Sequence, residues 1–306
     1  MRKFLSVLAG FLFWNLQLVA QPYFFKVLGI KGLCKADNQL LKVGTNIRPD
    51  QTIFVPVNGY LGLAHYSGKT LELKNPGTYR AKDLESKIKS NYTSDMQRYF
   101  DIVLNELISE SNIFERRERL RKASSFSGKG AVTRQATGNA LSFVLPSTSK
   151  IYEDTILIRW YVVDSSFFTG KKPVYRLKIM NMLQELLYET QTSSHEIVIS
   201  FQEPSLQKET HTYWYEVEWI ENPDISTDLH SFNKISPQEE KKIKKEIGIL
   251  PTDGEAIGQL ILARYLEDKG LLANALFVYK RLLEQYPIES YQEIYQDFLV
   301  RNHMLD

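Results

Sequence analysis

The stretch Gly62-Leu63-Ala64-His65-Tyr66-Ser67-Gly68-Lys69-Thr70 ends Gly-Lys-Thr, the ending of a phosphate-binding loop. That loop needs four residues between its glycines and a helix directly after it, so that amides at the helix N-terminus meet the phosphate. Here five residues separate Gly62 from Gly68, and Leu71-Glu72-Leu73 continues as a strand. The segment therefore reads as a hairpin with its turn at Ser67-Gly68. Ser147-Thr148-Ser149-Lys150 and Ser231-Phe232-Asn233-Lys234 both have the Ser-x-x-Lys spacing of a serine nucleophile with a lysine one turn later. That chemistry requires the serine to open a buried helix and needs companion Ser-Asp-Asn and Lys-Thr-Gly elements. Neither companion is present, and the tetrads lie near Pro146 and Pro237, where loops are expected.

The five histidines, His65, His195, His211, His230 and His303, are scattered without a metal-ligand spacing. His195 and Glu196 are neighbours on an expected strand, where successive side chains point to opposite faces. Cys34 is the only cysteine, so no internal disulfide forms, and a half-buried structural thiol is expected of it. Arg116, Arg117, Arg119, Arg121 and Lys122 form a basic run, either a solvated helix end or a peripheral contact for membrane or envelope polymers. Tyr213 to Trp219 alternate, with Tyr213, Tyr215, Val217 and Trp219 facing a core and Trp214 left as the exposed ring. No residue is assigned a catalytic, cofactor-binding or metal-binding role, and no cofactor is expected.

The chain opens with Arg2 and Lys3, runs apolar from Phe4 to Trp14 and ends in Ala20 before Gln21. This is the layout of a cleaved signal peptide, too short and too interrupted by Asn15 and Gln17 for a membrane span. Without residues 1–20 the chain carries 36 basic and 36 acidic side chains, a formal charge of zero. Neutrality argues against nucleic acid as a partner, because that affinity rests on neutralising phosphates. Export without disulfides fits a bacterial periplasm or cell envelope.

The elements that position these residues form a multi-domain α+β chain. After the signal peptide (1–20), residues 21–80 give short strands separated by Gly32, Asn58-Gly59, Ser67-Gly68 and Asn75-Pro76-Gly77, a small antiparallel β-domain. Residues 81–122 are accessory helix, with Ser94 and Gln97 at capping-box spacing and Met96, Tyr99, Phe100, Val103, Leu107 and Ile108 on one face. Residues 123–140, rich in Ser, Gly and Thr, form an expected flexible linker. Strands over Thr155–Val163, Val174–Asn181, His195–Phe201 and Thr212–Ile220 place a β-sandwich at 141–232. The 236–306 region is helical, capped by Ser236-Pro237-Gln238-Glu239 and again at Thr252 and Glu255.

Three resemblances attach to these pieces. Gly29-Ile30-Lys31-Gly32, Leu41 to Ile47, Leu61-Gly62-Leu63, Ser67-Gly68-Lys69 and Leu71-Glu72-Leu73 resemble a FecR-type β-domain. The strands of 141–230 resemble an immunoglobulin-like or fibronectin type III-like module without its disulfide. Leu262, Ala263, Gly270, Ala275, Tyr279 and Pro287 resemble one tetratricopeptide repeat, with Leu266 and Leu282 departing from the pattern. A lone repeat must cover its apolar face elsewhere: on the helix at 237–247, on the helix after Ser290, or on the sandwich. Together they imply a non-enzymatic exported scaffold or protein-interaction protein with a protein partner. Envelope signal transduction of the FecR type, and a ligand-binding or hydrolytic protein with no visible site, are the alternatives.

Overall fold

A computed structural model describes residues 23–88, 94–108, 140–152, 154–167, 172–208, 211–248 and 255–304. The chain is mixed α+β, with several antiparallel sheets followed by C-terminal helices. The signal-peptide, linker and basic-run readings lie outside the described residues, save Ala140, which is buried.

The first unit contains β1 (Phe25–Lys31), β2 (Lys35–Ala36), β3 (Gln39–Leu40), β4 (Asn46–Ile47), β5 (Thr52–Val55), β6 (Tyr60–His65), β7 (Thr70–Leu73) and β8 (Gly77–Arg80). They make two four-stranded antiparallel sheets, ordered β4-β1-β6-β7 and β3-β2-β5-β8. The expected turns are there. Asn58 and Gly68 hold φ of 58° and 78°, the left-handed region that glycine and asparagine tolerate best. All six residues of β6 are buried, because its two faces meet different cores. Leu61 and Leu63 pack inside the unit with Phe25, Val27, Cys34, Ile53 and Val55. Tyr60 and Ala64 join a second apolar cluster that runs through the rest of the molecule.

A 3-10 turn (Ala81–Lys87) precedes α1 (Ser94–Ile108). Tyr99, Phe100, Val103 and Leu107 recur along one helical face and are buried. The second β-unit has β9 (Leu141–Phe143), β10 (Thr148–Ile151), β11 (Thr155–Val162), β12 (Tyr175–Met180), β13 (Leu186–Thr192), β14 (Glu196–Ser200), β15 (Thr212–Trp219), β16 (Asn222–Ser226) and β17 (His230–Lys234). One sheet runs β10-β17-β15-β12-β13, with β16 on β15, and the other runs β14-β11-β9. Rings join the two sheets: Phe143 lies 4.7 Å from Tyr215 and Trp160 lies 5.5 Å from Tyr175, centroid to centroid. Alternation along β15 follows the sequence through Tyr213, Tyr215 and Val217, all fully buried, and breaks at a register shift after it, where Glu218 is buried and Trp219 is not. Trp214 and Trp219 are half-buried, so neither stands out as an exposed ring.

The helices are α2 (Pro237–Ile247), α3 (Ala256–Asp268), α4 (Leu272–Gln285) and α5 (Glu289–Arg301). Ser236 caps α2, its hydroxyl accepting from the Glu239 amide at 3.2 Å, with Pro237 in the first turn. Thr252, the second expected cap, lies outside the described residues. Three residues join α3 to α4 through Gly270 at φ 71°. This helix pair covers itself on every side, α3 against α1 and α4 against β10, β11 and α5. Ten of the thirteen residues of α3 are buried, so the helix reads apolar nearly all round.

Candidate functional site

Two polar features arise where these units meet. The first is a weld between the N-terminal β-unit and the C-terminal helices. Gly29 of β1 and Gly62 of β6 are cross-strand partners, and together they leave a socket for the ring of Tyr291 on α5. A Cβ on Gly29 would stand 2.3 Å from the Tyr291 hydroxyl, and one on Gly62 would stand 3.1 Å from it. The Tyr291 hydroxyl meets that of Tyr60 at 3.0 Å. Glu72 of β7 accepts from the Ile257 amide at 3.1 Å, supplying a carboxylate to the first turn of α3, where the helix dipole favours negative charge. Lys74 reaches both Glu72 (3.1 Å) and the Tyr286 hydroxyl, to which it donates at 2.6 Å. Burial pushes the Tyr60 and Tyr291 phenols up, so both stay neutral donors.

The second feature is a groove of about 520 Å³ between the smaller sheet and helices α4 and α5, lined by Arg159, His195, Glu196, Lys280, Glu284 and Tyr295, with Ser194 and Leu283. Arg159 and Glu196 are cross-strand partners on β11 and β14. Arg159 donates to the Tyr295 hydroxyl at 3.0 Å. Lys280 pairs with Glu196 and lies 3.5 Å from Glu284 one turn along α4. Its hydrogen bond to Glu196 holds the ammonium above its ordinary range against the opposing effect of burial. Ser194 accepts from the Glu196 amide at 3.3 Å, and the His195 Nε2 meets the Tyr175 hydroxyl at 2.9 Å. Serine and histidine are thus each engaged elsewhere, and no nucleophile–base pair is assembled. A groove with two cations and two carboxylates, Lys280 bridging both carboxylates and Arg159 held on the Tyr295 hydroxyl, suits recognition of a polar, mixed-charge surface. A second groove of about 470 Å³, lined by Asp154, His211, Lys234, Glu240 and Lys244 among others, opens between the second β-unit and α2.

The sequence-derived candidates are dispersed. The Gly62–Thr70 stretch forms the β6–β7 hairpin, with the His65 amide donating to the Lys69 carbonyl at 2.7 Å, and a strand follows it. The two Ser-x-x-Lys tetrads are not loops: β10 and β17 pair in parallel, Thr148 opposite Ser231 and Lys150 opposite Asn233. The expectation of loops gave the flanking prolines too much weight, since each stands outside its strand. Cys34 is fully buried, its thiol donating to the carbonyls of Lys31 and Tyr60 at 3.7 Å. Burial raises its pKa, which suits an inert core thiol. His65 is buried with its Nδ1 2.7 Å from the Ser67 hydroxyl. His195 and Glu196 line one groove together, because β14 starts only at Glu196 and the alternation of a strand does not yet apply to His195. Among the described residues no cluster of three or more His, Cys, Asp or Glu could hold a metal.

The groove itself escaped sequence reasoning. Its residues come from positions 159, 194–196, 280–284 and 295, joined only by tertiary packing. The one local signal was Lys280 and Glu284 at i,i+4, a spacing common on any helix surface. No family model matches the chain, and no curated protein matches it.

Proposed function

We propose that this protein is a non-enzymatic interaction protein, an exported scaffold of a bacterial envelope that presents the Arg159–Lys280 groove to a protein partner. The observation that carries the reading is the continuous apolar cluster running from Leu28, Tyr60 and Ala64 through α1 and the C-terminal helices into both sheets of the second β-unit. A chain welded in this way holds its surfaces in fixed relation, which is what a scaffold must do. The leader-like residues 1–20 and the neutral remainder support export and a protein partner over nucleic acid.

In this reading the first unit is FecR-like and the second immunoglobulin-like, its parallel β10–β17 pair being a departure from a purely antiparallel sandwich. The α3–α4 pair is tetratricopeptide-like, with buried Ala263 and Ala275 forming the small-residue seam. Photo-cross-linking in intact cells tests the proposal. A photoreactive residue replacing Ser194 should give a discrete protein adduct in the envelope fraction, and Lys280→Glu should abolish it by reversing charge in the groove. Adducts identical to those from a probe at exposed Asn222 would overturn it.

A further inference from the structure

We propose that the outer face of the β3-β2-β5-β8 sheet, with the two turns beside it, docks on an anionic lipid surface. Four large apolar side chains gather there in the open: Val57 is 75 % exposed, Leu33 69 % and Leu40 55 %, with Phe54 beside them. They belong together. Leu33 and Val57 stand on turns that touch, since a Cβ on Gly32 would lie 3.1 Å from Pro56 and 3.5 Å from Gly59. Leu40 and Phe54 sit opposite Lys35 on its two neighbouring strands. Alternation along β5 turns Ile53 and Val55 inward and leaves Phe54 outward.

The surroundings of this patch are cationic. Lys31, Lys35 and Lys42 are exposed, and none of them forms an ion pair among the described residues. The nearby carboxylate, Asp37, is occupied by the Thr52 amide at 2.9 Å and the Gln51 side chain at 3.2 Å. Residues 23–88 hold ten basic and five acidic side chains, whereas 89–306 hold 26 basic and 31 acidic. A chain that is neutral beyond its leader therefore places its positive end where its apolar side chains protrude. That charge complementarity points to an anionic surface. The shape decides which kind. Apolar residues on projecting turns enter a headgroup layer without a complementary pocket, and lysine stems lie along it with their ammonium groups in water. A protein partner would anchor instead through side chains filling shaped, desolvated pockets.

The full chain carrying Val57→Cys and an environment-sensitive fluorophore reports on this surface alone, because Cys34 is buried and the leader lies elsewhere in the sequence. Vesicles of mixed phosphatidylglycerol and phosphatidylcholine should shift its emission to the blue, and vesicles of phosphatidylcholine alone should not. Salt at roughly 0.5 M should reverse the shift by screening. Lys35→Glu with Leu33→Asn, both at exposed positions, should weaken the response about tenfold while thermal unfolding stays that of the parent. An unchanged emission on anionic vesicles, or a response that the double substitution leaves intact, would overturn the proposal. Saturable binding of soluble polyglutamate that matches the vesicle response would reassign the patch to an acidic protein, and the lipid assignment would fail.

Discussion

Gly29→Ala adds one methyl group to β1, just after the register shift between Val27 and Gly29, at a position whose backbone conformation is open to alanine. Its φ is not among the positive values, so the entire effect is steric. The new Cβ would lie 2.3 Å from the Tyr291 hydroxyl oxygen, 2.6 Å from its Cζ and 2.9 Å from its Cε1. Tyr291 is fully buried, and its ring packs edge-on against Tyr60 at 6.3 Å between centroids. Room to retreat is lacking, so the overpacking should cost about 1–3 kcal/mol. At roughly 2–4 °C per kcal/mol for chains of this size, Tm should fall by about 2–12 °C. Tyr291→Phe removes the atom in worst contact, and alone it should cost about 0.5–1.5 kcal/mol through loss of the Tyr60 hydrogen bond. Combined, the two substitutions should cost less than their sum by at least about 1 kcal/mol. Gly270→Ala is the control, strained by φ 71° but with nothing within 4 Å; its cost of about 1 kcal/mol should simply add to that of Tyr291→Phe. Calorimetric unfolding reads the parent and all five variants, the two doubles included. Additivity of Gly29→Ala with Tyr291→Phe, or a Tm within about 1 °C of the parent for Gly29→Ala, would refute the socket.

Glu267, buried between Arg264 at 2.7 Å and Arg301 at 2.9 Å, should cost about 3–5 kcal/mol at neutral pH when changed to Gln. Burial alone would raise its pKa, but the two guanidinium groups outweigh that and lower it. The stabilisation is therefore present above the ordinary carboxylate pKa and lost as pH falls below it, and the gap between parent and Glu267→Gln in urea unfolding should narrow there. Glu106 in the same cluster is shifted upward, chiefly by burial, so Glu106→Gln should cost less at neutral pH than Glu267→Gln. Ser236→Ala should remove about 1 kcal/mol through loss of the α2 cap, and Ser236→Asp should restore most of it. Ala275→Arg places a charge at a fully buried position of α4 and should cost about 2–5 kcal/mol in thermal unfolding, against under about 1.5 kcal/mol for Leu282→Met.

Local chemistry made much of the architecture legible. Asn58 and Gly68 take the positive φ that their tight turns require, and both lie where the sequence puts a reversal. Four strands of the second β-unit, β11, β12, β14 and β15, fall within a few residues of their expected spans. Strands β9, β10, β13, β16 and β17 have no counterpart among the expected strands. Leu186–Thr192 is an edge strand of half-buried and exposed residues, whose polar alternation resembles a loop when no core face is present. The expected packing of the helix pair on α2, on α5 or on the sandwich was incomplete. It also rests on α1, with Tyr99 donating to Asp268 at 2.7 Å across that seam and burial lifting the Tyr99 phenol to about 12.

What the sequence could not reveal is the work done by residues that mean two things. Gly29 and Gly62 read only as part of the FecR-like pattern of a small β-domain, yet within their strands they are defined by a tyrosine more than two hundred residues away. Glycine in a strand signals either a bend or a close approach, and a single sequence does not say which. Glu72 has the same ambiguity, for a glutamate between two leucines looks like the solvent face of a strand. Its side chain is instead almost wholly buried and caps a helix of another unit. The groove follows from these contacts, because Arg159 and Glu196 come from paired strands while Lys280 and Tyr295 reach them only if α4 and α5 are held against the sheet. Loosening the weld should therefore be felt at the groove, through α5, which carries both Tyr291 and Tyr295. A Gly29→Ala protein that still folds would be expected to lose the Ser194 cross-link before it loses its secondary structure.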